Sequence, residues 1–474
     1  MVKRHPSEVR SAYGEPANPL SLTAETETVV VNGRTLTRTW NAATRTLTET
    51  SPEGRVQTTV LDAEGRPRQQ RIGDLTPTDY DYDGEQRLSA IARSSGPTAR
   101  VSTLSYDAQG NVASVTDPAG RTVSFTYDAA GRVLTQTLPG GAQVELLYDA
   151  KGNLTSVTPP GRPAHTFQYD ALSRPLFYHP PNTTPPMSNP RTGYEYNLDG
   201  ALARVRRPDG QTIFMDYDPE TGDLWAQVYP TGARNFTYDD STGNLENAAF
   251  TGGNLHYTWD GPLLESETWS AAASSNAVAG SVGRTYDASF RLASESVNGG
   301  HTVTFGYDDD DLVEAVGPLA LERSPQTGLI TATTLGVVGE TLAYDPMGEL
   351  SSQNAAIGGT PVYEVTYGRD ASGRITSKSE TILGTTKLYE YGYDERGRLA
   401  DVSTNGQATA HYDYDANGNR IGGFNLHGAI AASYDEQDRL TRYTAGPLTA
   451  DYAYTVNGEL ESRTVGNDVT QYTY

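Results

Sequence analysis

Oxygen ligands at alternate positions followed by a glycine bend are what a hard divalent cation requires, and Asp79-Tyr80-Asp81-Tyr82-Asp83-Gly84 spells that pattern. Asp79, Asp81 and Asp83 are therefore the candidate calcium ligands, with Asp413-Tyr414-Asp415-Ala416-Asn417-Gly418 as an echo. The second half of a calcium loop is missing, because Ala90 and Phe424 stand where a bidentate glutamate is wanted. The run Asp308 to Asp311 is acidic in the same way. For acid–base chemistry the adjacent pairs Tyr178 with His179 and His256 with Tyr257 are the candidates, as a Tyr/His site acting on a polysaccharide. His5, His165, His301, His411 and His427 are scattered without HExxH spacing, and no GxSxG elbow or phosphate-cradling GxxxxGK[ST] occurs. No motif ranks one pair of the 59 acids above another, so the reading leans away from an enzyme and assigns no catalytic residue.

The elements that would have to position these residues are set by composition. The 474 residues carry 36 Lys+Arg against 59 Asp+Glu, a net charge of −23, and only four of the cations are lysines. A polyanion binder needs a basic stripe, so nucleic acid is not an expected partner. The absence of cysteine excludes disulfides and thiolate chemistry. Apolar residues make up 36% and mean hydropathy is −0.55, too little apolar surface for several compact cores, yet 30 Tyr, 48 Gly and 27 Pro are the vocabulary of strands and turns. No stretch approaches the ~18 apolar residues of a membrane span. Met1 to Tyr13 has no apolar core like that of a secretory signal, so export by another route or a longer parent chain is expected.

A repeat organises the rest. Tyr106-Asp107, Tyr127-Asp128, Tyr148-Asp149 and Tyr169-Asp170 follow one another at a step of about 21 residues, as do Tyr217-Asp218, Tyr238-Asp239 and Trp259-Asp260. The ladder extends up to Trp40-Asn41 and down to Tyr454, with weaker members at Tyr196-Asn197, Arg323-Ser324 and Tyr367-Gly368. Within one repeat Val123, Phe125 and Tyr127 alternate with hydroxylic residues, a half-apolar strand. Asp128 then starts a turn by bonding the backbone two residues on, Gly131 supplies positive φ, as Gly152 does one repeat later, and a second strand runs back to Pro139-Gly140-Gly141. About 20 such hairpins predict an all-β chain of about 40 strands, one continuous antiparallel ribbon. The expected division is lead-in strands over 1–39 and the repeat array over 40–474, with loop insertions near 177–191 and 271–281.

YDAAGRVLTQTLPGGAQVELLYD, from Tyr127 to Asp149, and YDAQGNVASVTDPAGRTVSFTYD, from Tyr106 to Asp128, resemble the repeat of the Rhs/YD-repeat family almost position by position. The family includes the B and C subunits of insecticidal toxin complexes, Rhs polymorphic toxins, wall-associated proteins and teneurins. The resemblance implies a ribbon spiralling into a hollow β-shell, secreted or at a bacterial cell surface, that encloses or presents a C-terminal toxin or other polypeptide cargo. A carbohydrate-binding or cell-surface adhesion scaffold is the alternative, with Trp225, Trp259 and Trp269 as candidate stacking residues and a carbohydrate or a surface receptor as partner. The family's toxins end their shell in a self-cleaving DPxG segment; Asp117-Pro118-Ala119-Gly120 and Asp345-Pro346-Met347-Gly348 have the letters but sit at repeat turns. Strand spacing gives such a ribbon a length of ~190 Å, which wound twice leaves a lumen ~20 Å across.

Overall fold

A computed structural model describes residues 8–15, 21–93, 99–181, 191–271 and 278–474. Most of the two expected insertions, 182–190 and 272–277, lies outside the described residues, as does His5. The described residues form 43 strands, from Glu8–Tyr13 to Asp468–Gln471, and no α-helix. Each strand pairs antiparallel with the next wherever the register is given, as Thr122–Tyr127 does with Val133–Thr137 and that strand with Gln143–Tyr148. The chain is therefore one long meander. Strands Glu8–Tyr13, Leu22–Val31 and Arg34–Asn41 already belong to this ladder.

Two alternating kinds of connection follow from the repeat. At the Tyr-Asp end the ladder register shifts immediately before the tyrosine, so that Tyr127 faces Val133. The turn closes with Asp128 N–H donating to Arg132 O (2.9 Å) and Gly131 N–H to Asp128 O (3.0 Å), with Gly131 at φ +77°. This is a three-residue hairpin loop ending in a left-handed residue, the geometry for which glycine is the cheapest choice. At the other end the connections are Pro/Gly turns such as Asp117–Gly120 or two-residue turns such as Leu383-Gly384, both at positive φ.

The array divides into two compact units. The first comprises residues 1–106, 115–121 and 282–390; the second comprises 107–114, 122–281 and 391–474. Each brings together an early and a late stretch of ribbon. Buried apolar residues among those described are Ala226, Met347, Val365, Ala410, Ile430, Ala445 and Ala450, and of these only Val365 is a large side chain shut off completely. A sheet packed face to face on another would bury the inward residues of most strands; here most strand residues are half-buried, many are exposed and very few are buried, as in a wall one sheet thick.

Candidate functional site

The most repeated chemical arrangement is the turn itself. Asp128 Oδ1 accepts from Ala130 N (2.8 Å) and Arg132 N (3.0 Å), and its Oδ2 accepts from Arg132 Nε (2.6 Å). Asp107 holds Gln109 and Asn111 in the same way, with Asn111 Nδ2 replacing the guanidinium at 3.0 Å, and Asp149 does so with Lys151 and Asn153. Asp170 binds Leu172, Arg174 and the Arg174 side chain. Asp218 and Asp239 head loops one residue longer, closed by Asp223 and Asn244. The Asp239 carboxylate is drawn down to about 2 by the Ser241 and Thr242 hydroxyls and the Thr242 amide. The arginine hydrogen bond, then the amides, hold Asp128 below the ordinary carboxylate range.

The tyrosine locks one repeat to the previous one. Tyr127 Oη donates to Val112 O (2.8 Å), Tyr106 to Leu88 O (2.7 Å), Tyr169 to Leu154 O (2.8 Å), Tyr217 to Leu202 O (2.9 Å) and Tyr238 to Leu224 O (2.9 Å). The slot demands a long, flat donor rather than a phenol: Trp259 Nε1 fills it toward Leu245 O at 2.8 Å, and Arg323 toward Val313 O. Near Tyr367 the register differs from the sequence expectation. The shift falls before Arg369, whose guanidinium reaches Leu350 O, and Asp370 closes the turn, so the repeat pair is Arg369-Asp370 and not Tyr367-Gly368. The letters misled because the slot accepts arginine.

The arginine four residues after the aspartate is the element that the sequence reading missed. Arg132 sits over the Tyr148 ring at 4.9 Å, Arg87 over Tyr106 at 4.3 Å and Arg66 over Tyr82 at 4.0 Å. Each guanidinium thus pairs with its own turn's aspartate and stacks on the next repeat's tyrosine. The signal was the recurrence of Arg or Asn at one offset from Asp.

The candidate metal residues do not converge. Asp79 Oδ1 accepts from Gln69 Nε2 (2.8 Å), whereas Asp83 heads its turn and pairs with Arg87. Among the described residues no group of three or more His, Asp or Glu is placed to hold a metal ion. In the echo, Asp413 lies 3.2 Å from His411 Nε2, and Asp401 lies 2.7 Å from its Nδ1, which raises the His411 pKa. The Tyr/His pairs separate as well. Neighbours in a strand point to opposite faces, so Tyr178 meets His165 Nδ1 at 2.8 Å while His179 lies against Phe177, and His256 bonds Asn247. Burial raises the Tyr178 pKa and lowers that of His165, leaving both neutral, the opposite of what a tyrosinate base needs.

A second kind of contact joins stretches about 250 residues apart, through turns and the strand ends beside them. In the first unit Arg55 pairs with Asp308 (2.7 Å) and Asp310, which also accepts from Ser51 Oγ (2.6 Å) and Glu53 N (3.0 Å). Arg34 pairs with Asp311, and Arg100 grips Glu349 through both nitrogens at 2.7 and 2.8 Å. Thr76 N donates to Pro346 O (2.7 Å), so the Asp345-Pro346 turn is part of this junction. The four-aspartate run is thus an arginine-binding turn. In the second unit Arg162 pairs with Asp415 (2.9 Å) and Asp438 (2.7 Å), Arg207 with Glu459, and Asn457 with Asp209 (2.6 Å). The separations, 253 residues for Arg55 to Asp308 and also for Arg162 to Asp415, correspond to roughly twelve repeats, against the ten expected from an even double winding.

Comparison with known proteins agrees with this geometry. A family model described as the teneurin YD-shell matches residues 8–474. Teneurin-4 of Homo sapiens is 27% identical over 303 residues, covering 61% of this chain and 10% of that protein. Teneurin-3 of Danio rerio is 28% identical over 273 residues, covering 54% and 10%. The chain thus spans about a tenth of the length of these relatives. Among solved structures, TcdB2-TccC3-TEV superposes with a TM-score of 0.54 at 12% identity, over 95% of this chain and 31% of that one. The Photorhabdus luminescens Tc holotoxin pore gives 0.52 at 13% identity, over 95% and 26%. Likeness at such identity is one of fold. With the tyrosine clamps, the aspartate turns and a family match running from residue 8 to the last residue, the chain belongs to the teneurin YD-shell family and is a structural β-shell segment.

Proposed function

We propose that this shell segment encloses or presents a polypeptide, such as a toxin domain, and works outside the cell or at its surface. The observation that carries the reading is the wall one sheet thick: a ribbon of 43 strands with so few buried apolar residues has a face to offer that its own chain does not cover. The ion pairs at turns and strand ends support it, since they hold the ribbon against itself at its edges and leave the faces free. Small-angle scattering should return a radius of gyration above the ~23 Å of a filled 474-residue globule. A small reporter domain fused after Tyr474 should resist protease at neutral pH; a value near 23 Å together with full cleavage of the reporter overturns the proposal.

A sugar-binding surface is a second reading, favoured by Trp225, which is 47% exposed in the strand Leu224–Tyr229. Trp259 supports that role less, because its indole N–H is taken up by a clamp to Leu245 O. Binding to a glycan array that is lost in Trp225→Ala would favour this reading over enclosure.

A further inference from the structure

In a ribbon of near-identical repeats, a shift of one repeat, about 21 residues, sets turns of the same kind against each other, and the strands alone do not resist it. The fourth position of the aspartate turns breaks this degeneracy. In the late stretches, 282–390 and 391–474, the turns at Asp287, Asp370, Asp394 and Asp435 keep the repeat's own arginine on the aspartate, as Arg398 Nε does on Asp394 Oδ2 (2.7 Å) and Arg439 Nε on Asp435 Oδ2 (2.6 Å). The other three-residue turns of these stretches carry Leu312, Glu349, Asn419 and Glu459 there.

Those four turns are the ones that receive an arginine from the early stretch. Arg55 Nη2 takes Asp308 Oδ2 (2.7 Å) and Arg162 Nη2 takes Asp415 Oδ2 (2.9 Å), in both cases across 253 residues and on the oxygen that the repeat's own arginine binds elsewhere. Arg100 grips Glu349, and Arg207 pairs with Glu459. Turns with their own arginine meet something else: Arg396 Nε donates to Pro139 O (3.0 Å), and Gln437 Nε2 to Pro181 O (3.2 Å). Where an early arginine does approach such a turn, its charge is already matched, Arg121 by its own Asp117 and Arg34 by Asp311. A shift of one repeat would set Arg162 against Arg398 in one direction and against Arg439 in the other, like charges in a half-buried seam. It would also take Arg162 away from Asp438, whose left-handed position (φ +59°) is glycine in the neighbouring turns, at Gly418 and Gly458.

We infer that the early arginines and the fourth positions of the late turns form a register code, in which a late turn that lacks its arginine selects an early turn that supplies one. The code is independent of any cargo. Asn419→Arg restores the repeat's own arginine, yet it should lower the melting temperature of the full chain because it faces Arg162, and adding Arg162→Gln should recover the loss. Asn153→Arg, in a turn that no residue of the other stretch bonds among the described residues, should lower nothing. The chain has no cysteine, so disulfides can read the register itself. Asp209→Cys with Asn457→Cys, at side chains 2.6 Å apart, reports the native register; Asp209→Cys with Gln437→Cys and Pro181→Cys with Asn457→Cys report a shift of one repeat in either direction. Shifted products should be absent from the parent chain and from a variant with Lys at positions 55, 100, 162 and 207, which keeps the charges, and should appear beside the native product when the same four arginines are changed to Gln. Native product alone in that Gln variant overturns the proposal, and so does an Asn419→Arg chain that melts with Asn153→Arg. If the Gln variant loses its β-sheet circular dichroism, the Asn419→Arg and Arg162→Gln comparison decides by itself.

Discussion

The strand Val338–Tyr344 has two ends with different chemistry. At Val338 the hairpin tips are apolar and open to solvent, while at Tyr344 the turn Asp345–Glu349 meets a ribbon stretch 250 residues away through Arg93, Arg100 and Thr76. The same fold and repeat produce both, so the difference lies in the turns. The ion pairs of the engaged ends place arginine on the early stretch and carboxylate on the late one, which favours one pairing of stretches; the open turns Gly336-Val337, Gly358-Gly359 and Leu383-Gly384 are two residues long and keep neither charge. Edge identity is therefore written in the turns, while the strands only set the spacing.

The largest test of this contrast is Asp310→Ala, which strands Arg55, Ser51 and the Glu53 amide at once. It should cost about 3 kcal/mol in chemical denaturation, the range for breaking a partly buried ion pair. An unchanged midpoint would erase the distinction between the two edges. Acid should act on the same edge, and on the aspartate turns of the repeat, before it acts on the open tips. The Arg100 hydrogen bond holds Glu349 below its ordinary range; burial pushes Asp310 up, but the Ser51 hydroxyl, the Glu53 amide and Arg55 outweigh it, leaving a net lowering. Stability from depressed carboxylates is fully present above their unfolded value of about 4 and is lost as pH falls through the lower folded value. Hydrogen exchange should therefore speed up below pH ~4 at Ser51–Arg55, Asp308–Leu312 and Asp345–Glu349 before it does at the tips Leu335–Val338, Ile357–Thr360 and Ile382–Thr385.

Smaller effects sharpen the contribution of the repeat itself. Tyr127→Phe removes one hydroxyl donor to Val112 O and should cost about 1 kcal/mol, which urea denaturation will register; a null result would mean that the ring alone makes the clamp. Ser173, at φ +63° in the slot that Gly131 occupies elsewhere, should gain about 1 kcal/mol on mutation to glycine by the same measurement. At the open edge Val337→Thr, at a 69% exposed site, should stay within ~0.5 kcal/mol of the parent protein.

Much of this was legible in the sequence because the repeat is local. Tyr, Asp and Gly recur where the backbone itself needs a donor, an acceptor and positive φ, and the strand count follows. The arginine at the fourth position escaped notice because its second partner, the next tyrosine ring, belongs to another repeat and Asn can replace it. Asp308 to Asp311 resembled a cation site because arginines 250 residues upstream leave no local trace. Tyr178 and His179 are adjacent in the chain yet sit on opposite faces, an alternation that a pair motif ignores.

The tyrosine clamp also gives the ribbon a direction in time. Each Tyr hydroxyl reaches back about 15 residues, to a carbonyl made earlier in synthesis, and none of the clamps described above waits for a later one. A hairpin leaving the ribosome can therefore be fastened as soon as the next tyrosine emerges, so the wall can grow behind the translating end, one stitch per repeat. The edge ion pairs cannot form until roughly 250 further residues have been made. Construction thus separates into a fast local stitching and a late closing of the seam, and shortening the chain from its C-terminal end should remove the seam while leaving the stitches intact.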